Sequence, residues 1–470
     1  MTTKCNLKSY SFQPLKKRQV VGAFDGGAIT SDGGGLLLRE VEARCSIIGQ
    51  FSECFTDYRD PGLIEHTVKE LLGQRVYGIA LGYEDLNDHD DLRFDPLLAT
   101  LVGKSDPSGR NRVRERDKGK PLAGKSTLNR LELTTPEADS SSRYKKIFLD
   151  PDKVDRSMVE IFIRSYKKSP ESITLDLDAT DDPVHGNQEG RFFHGYYKSY
   201  CYLPLYIFSG DHLLCARLRS SNIDASEGSV DELDRIVKQI RAAWPQVKIT
   251  IRGDSGFCRE DIMNWCEAKD VHYVLGLAKN SRLKKAIENE LALAKKKYGE
   301  TGRAARVFKN FTYQTHKSWS RSRRVVGKAE HLAKGANPRF IVTSFSENDY
   351  DGRELYEEIY CARGEMENRI KEQQFYLFAD RTSCSKMRAN QVRLYMSSIA
   401  YILVSAFRRM GLRGTEMAKA QCHTIRLKLF KIGALIRVTA RRVVASMAGG
   451  YPYEDIFDQA YENLARAGPT

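Results

Sequence analysis

The stretch "ITLDLDATDDPVHG", residues 173–186, places four aspartates within residues 176–182. Ile173, Leu175 and Leu177 alternate with Thr174, Asp176 and Asp178. That period of two predicts a strand with one apolar face and one carboxylate face. Crowded carboxylates repel one another. Two at about 4 Å cost on the order of 4 kcal/mol near a protein surface unless a cation sits among them. The plainer alternative is a solvated strand end that turns at Asp181-Asp182-Pro183.

A second predicted strand also ends in a carboxylate. In "VKITIRGDSGF", residues 247–257, Val247, Ile249 and Ile251 form the apolar face and Gly253-Asp254 closes the strand. Polar residues at the C-terminal ends of strands are where α/β sheets build sites, although Asp254 could equally cap the next turn. A third acid lies on a long helix expected over about 351–376. Within "YCARGEMENRIKEQQ", Tyr360, Arg363, Glu367, Ile370 and Gln374 fall on one helical stripe. Such a stripe is poor core material and suits a surface facing metal and phosphate. The alternative is a solvated helix with Glu365–Arg369 and Glu367–Lys371 ion pairs.

Around these acids the pattern predicts a mixed α/β sheet. Strands are expected at 172–178, "YCYLPLYIFS", "HLLCARLRS", 247–254, "VHYVLGLAK" and "RFIVTSF", with helices at "SVDELDRIVKQIRAAW" and "REDIMNWCEAKD". Basic residues 283–337 interrupt this pattern with strand-like pieces. N-terminal to it, residues 20–45 give a short strand, a glycine-rich hairpin signal and a helix, and "PGLIEHTVKELLGQRVYGIALGYED" a further helix. Residues 103–126 read as a basic, turn-rich, mobile loop.

The segment 119–126, G-K-P-L-A-G-K-S, satisfies the string of a phosphate-binding loop. Its context argues against a nucleotide. The basic "GRNRVRERDK" before it cannot be the buried strand such a loop needs, and Pro121 removes an amide from the phosphate nest. No nucleotide cofactor is expected. The acidic "EDLNDHDD" (84–91) reads as a solvated turn rather than a metal site.

The net charge of +14 is unevenly spread. Residues 279–339 hold 17 Lys and Arg against 4 Asp and Glu, and Glu416 is the sole acid of residues 386–445. Two concentrated basic blocks on an otherwise acidic chain point to an extended polyanion, DNA or RNA. Hydrophobic content of 41% is that of a globular protein. The longest apolar run, "IAYILVSAF" at 399–407, falls short of the about 20 residues of a membrane span. The N-terminus shows no apolar signal segment. Ten scattered cysteines form no C-x-x-C pair, which predicts reduced thiols in a cytoplasmic, nucleoid-associated protein without zinc.

Taken together, "LDLDATDDPVHGNQEG", "IRGDSGF" and "YCARGEMENRIKE" with "RANQVRLY" resemble the DDE transposases of bacterial insertion sequences. The similarity is to the group with a Tyr-x-x-Arg-x-x-x-Glu helix. "ITSDGGGLLLREVEAR" and "RVYGIALGYEDLNDHDDLR" extend the likeness toward the N-terminus. The resemblance implies an RNase H-like mixed-sheet core over 166–282 and 338–410. It also implies a basic insertion at 283–337, an N-terminal α/β end-binding and dimerisation region over 1–165, and a basic helical region over 411–470. It makes Asp178, Asp254 and Glu367 the catalytic, metal-binding acids, with Asp176 as the alternative first ligand, and Tyr360 and Arg363 DNA contacts. Gln374 stands where the family has lysine, and Lys371 is the candidate to take over its phosphate contact. The implied cofactor is a pair of Mg2+ ions, with Mn2+ as a substitute. The implied partners are double-stranded inverted-repeat ends and target DNA, held by a homodimer and without a membrane. A metal-dependent nuclease on the same core and a catalytically idle DNA-binding protein are the alternatives.

Overall fold

The computed structural model describes residues 8–468, so Cys5 and the first residues of the expected leaderless N-terminus lie outside it. Two compact units divide the chain. One comprises residues 151–375 and 379–398; the other takes the N-terminal residues to 150, 376–378 and those from 399 onward.

The first unit is built on a mixed sheet of nine strands: β1 (Ser172–Ala179), β2 (Leu205–Ser209), β3 (His212–Arg217), β4 (Lys248–Gly253), β5 (His272–Leu277), β6 (Ala305–Tyr313), β7 (Arg323–Leu332), β8 (Gly335–Ala336) and β9 (Arg339–Thr343). The order is β3-β2-β1-β4-β5-β9-β7-β6, with β8 paired to β7. β1 to β3 form an antiparallel meander, and β1, β4 and β5 run parallel. This meander followed by β-α-β units is the mixed α/β core expected from the sequence.

The period of two in β1 decides its packing. Leu175 and Leu177 point into a core shared with Ile249 and Ile251 of β4. Leu233, Ile236 and Ile240 of the helix Ser229–Ala243 and Met263 of the helix Glu260–Ala268 cover them. The helix Pro151–Arg164, expected with the N-terminal region, adds Val159 and Phe162 to the same core. On the opposite face, Val274, Val326 and Ile341 pack against Leu355 and Tyr356. Those two residues open a helical stretch from Gly352 to Tyr376, with wide π-type turns at Leu355–Tyr360 and Glu372–Tyr376 and a tight turn at Cys361–Arg363. π-type turns inside a helix often accompany functional sites.

The basic segment 283–337 does not interrupt the sheet. Its strand-like pieces are β6 and β7, and β7 pairs with β9 along five residues. Much of its charge is spent internally: Arg323 binds Glu260 and Glu267 at 2.7 and 2.9 Å, and Arg306 binds Glu330 at 2.7 Å.

In the second unit the helix Val68–Leu81 starts on a capping box of Thr67 and Glu70 and ends at Gly82 in the left-handed region. This is the helix read from the sequence. The N-terminal hairpin lies earlier than the glycines suggested, pairing Ser9–Leu15 with Arg18–Ala23. Residues 103–126 are not a free loop. Arg112 is buried, with Nη1 donating to the Lys120 carbonyl at 2.7 Å and Nη2 to Glu65 at 3.0 Å. The C-terminal stretch is not wholly helical, since Ala434–Val438 and Val443–Met447 form a hairpin before the helix Glu454–Arg466. Cys201, Cys215 and Cys266 are buried thiols. Among the described residues no helix is long and apolar enough to cross a membrane.

Candidate functional site

Parallel register sets two of the acids side by side. Gly253 of β4 pairs with Leu177 of β1, so the next residues, Asp254 and Asp178, leave adjacent strands about 4.8 Å apart. Asp254 also organises its own turn, accepting from the Gly256 amide at 2.8 Å. Both acids line a cavity of about 750 Å³ together with Arg363, Glu367, Lys371 and Gln374. The stripe read on the helix therefore faces this cavity, with Ile370 among its lining residues. Tyr360, one turn earlier, shares an adjoining recess with Asp254, Arg363, Lys279 and Arg339. Gly276 of β5 makes room for it: a Cβ there would lie 2.6 Å from Tyr360 Oη and 3.0 Å from the Ser255 amide.

Arg363 is the centre of the arrangement. Its Nη1 lies 3.2 Å from Asp178 Oδ2 and its Nη2 3.0 Å from Glu367 Oε1, so one guanidinium spans both carboxylates. Glu367 thus pairs with Arg363 rather than Lys371, and Arg369 pairs with Glu372 and Asp211 rather than Glu365. Lys371 lines the cavity and is exposed. Burial pushes the Asp178 carboxyl up to about 6; Arg363 opposes this, while Asp254 and Glu367 add to it.

Among the described residues no group of three or more His, Cys, Asp or Glu is arranged to hold a metal ion, and Arg363 bridges Asp178 and Glu367. The donor set nonetheless fits a hard divalent cation. Two aspartates and one glutamate supply oxygen ligands, and a few carboxylates suffice for an ion that keeps several waters.

Asp176 is placed differently. It faces its register partner Arg252, whose Nε and Nη2 donate to it at 2.5 and 2.7 Å in a buried bidentate pair. The third nitrogen, Nη1, donates to the Ile359 carbonyl at 2.6 Å and so ties the sheet to the helix. The face expected to be open is covered at this point, and Asp176 is committed to structure. Gln374 is committed as well. Its Nε2 donates to the Asp181 carbonyl at 3.0 Å and to Asp182 Oδ1 at 2.8 Å. Asp182 is fully buried, and burial pushes its carboxyl up to about 8.

The second unit holds a cavity of the opposite sign, to which the segment 103–126, read as basic from the sequence, contributes Arg114, Arg116 and Lys120. Arg59, Arg93, Arg114, Arg116, Lys120 and Arg130 line it, against Glu65 and Asp117. Burial and the neighbouring cations Lys104, Arg112, Arg93 and Arg59 push the His66 imidazole down to about 3. Gly124 and Ser126 of the phosphate-loop string also line it, but Lys125 turns to Asp90 at 3.2 Å and no strand leads into the loop.

The family model described as transposase DDE domain group 1 matches residues 12–469. No curated protein matches the chain. Among solved structures, the chain is similar to a piggyBac transposase in a cryo-EM synaptic complex with hairpin DNA. That match has 13% identity and a TM-score of 0.40, over 85% of this chain and 80% of that one.

Proposed function

The chain belongs to the transposase DDE domain group 1 family, and from that premise we propose that it binds the inverted-repeat ends of a mobile element, cleaves them and joins them to target DNA. The supporting observation is the cavity that gathers Asp178, Asp254 and Glu367 around Arg363. Asp178, Asp254 and Glu367 would hold a pair of Mg2+ ions. When bound, such ions activate an attacking oxygen and stabilise a leaving one.

The chain's own residues do the remaining work. Arg363 offers a planar, always-charged fork suited to a non-reacting phosphate oxygen. Lys371 adds a point charge where Gln374 supplies none. Tyr360, seated over Gly276 in the recess it shares with Arg363, would be a further DNA contact. The basic cavity around Arg114 and Arg130 suits DNA phosphates away from the reacting one. A homodimer holding both ends is part of this reading.

The test is nicking and joining of the element's end DNA with Mg2+. Glu367→Gln should stop nicking and leave DNA binding intact. Cleavage by the wild type without joined products would make the protein a nuclease. Binding without cleavage would make it an idle DNA-binding factor.

A further inference from the structure

Between β1 and β2 the chain makes a small sheet of its own, in which Phe192–His194 pairs with Ser199–Tyr202 around a turn at Gly195–Lys198. Phe192 pairs with Cys201, and Phe193 with Tyr200. Cys201 and Tyr202 are fully buried, whereas Phe192, Phe193 and Tyr200 are 43%, 58% and 49% exposed. At the turn, Tyr196 is 82% exposed. A surface ordinarily scatters its large apolar side chains, and a contiguous set marks an interaction site.

These rings are ordered by one another. Phe193 and Tyr200 meet edge to face at 5.6 Å, and the Arg191 guanidinium lies 4.3 Å from the Tyr200 ring centre. Tyr196 and Tyr197 meet edge to face at 5.0 Å. Tyr197 Oη donates to the carbonyl of Ala179 at 3.4 Å, which fixes the turn beside Asp178. Tyr196 and Tyr197 line the same cavity as the three acids, and so does Phe375, 64% exposed, from the Glu367 helix.

Exposed rings with cations beside them fit a strand of nucleic acid whose base faces are available: bases stack on aromatic side chains, and arginine adds a cation–π contribution. Paired bases inside a duplex are already stacked and offer no such face. We propose that the 192–202 hairpin is a stacking platform for unpaired bases of the DNA strand entering the cavity, with Tyr196 meeting the base beside the reacting phosphate. This rests on the transposase reading and names the DNA form its site takes.

The experiment compares metal-free binding of a synthetic end duplex with binding of the same duplex carrying a short unpaired bubble. A fluorescent purine analogue is placed in the bubble. Wild-type protein should prefer the bubble and quench the analogue. Tyr196→Ala should lose about 5- to 150-fold in affinity for the bubble, the range for one stacked base, with duplex affinity unchanged. Tyr196→Phe should behave as wild type, and Phe193→Ala should show a smaller selective loss. Equal losses on both probes, no loss on either, or no wild-type preference would overturn the platform. If that happens while Glu367→Gln still stops nicking, the transposase reading stands alone. If the wild type neither binds nor nicks either probe, both readings fall.

Discussion

Asp178 in one unit and His66 in the other are both pushed toward their neutral forms, by burial first and then by like charge. For Asp178 the like charges are Asp254 and Glu367; for His66 they are Lys104, Arg112, Arg93 and Arg59. A side chain driven away from its charged form reports the sign of the field around it. One cavity therefore gathers negative charge around Asp178 and the other positive charge around His66. The two fields are built in separate compact units, and the proposed function would use the first for a divalent ion and the second for a phosphate backbone.

The largest expected effect separates the acids of the first cavity. Asp178→Asn and Glu367→Gln should each lower nicking by about 1000-fold or more, several kcal/mol of lost charge stabilisation, measured on end DNA at saturation. Asp176→Asn should instead cost stability, because it takes one partner from the buried Arg252 pair. Breaking that pair with Arg252→Ala is expected to cost about 3–5 kcal/mol in denaturant unfolding. If Asp176→Asn proves stable and dead while Asp178→Asn nicks normally, the two acids have been assigned the wrong way round.

Gly276→Ala should cost about 1–3 kcal/mol by overpacking against Tyr360, and nicking should fall further than DNA binding does. In the second unit, Arg114→Gln with Arg130→Gln should reduce the salt slope of DNA binding by about 0.9 for each phosphate that is no longer neutralised. Nicking at saturating DNA should then be unchanged.

A separate effect is read in the pH dependence of stability. His66, neutral in the fold with its pKa lowered to about 3 from an ordinary 6.5, contributes stability above 6.5 that is lost as pH falls toward 3. Asp182 runs the other way: raised to about 8 from 3.8, it contributes stability at low pH that is lost as pH rises toward 8. Asp182 is faced by Gln374 and by the further acids Asp181 and Asp380. His66→Gln should flatten the acid side of the stability curve and Asp182→Asn the alkaline side.

The sheet around the first cavity is legible in the sequence because its apolar residues alternate locally, and Asp178 and Asp254 stand out as acids ending such strands. Glu367 and Arg363 need the family resemblance, since their stripe alone also fits a solvated helix. Other features depend on pairings between residues far apart in the chain. Nothing near Asp176 announces Arg252, which lies 76 positions away. The basic cavity draws on Arg59 and Arg130, and neither belongs to the charged blocks that composition reveals. β6 and β7 resemble an insertion because their lysines and arginines mask an ordinary strand pairing; of the acids that balance them, Glu260 lies on a helix far back in the chain and Glu330 is a lone carboxylate within β7. The aromatic hairpin at 192–202 does not stand out because strands are generally rich in Phe and Tyr.

The guanidinium that joins Asp178 to Glu367 has a consequence for timing. On the proposed function, ions would settle between these acids once Arg363 had exchanged its two carboxylate partners for an incoming phosphodiester. Occupancy by metal and by substrate is then mutually reinforcing, and by thermodynamic reciprocity each should raise the affinity of the other by the same factor. Such an interlock would keep a potentially genome-damaging blade sheathed until the right DNA arrives.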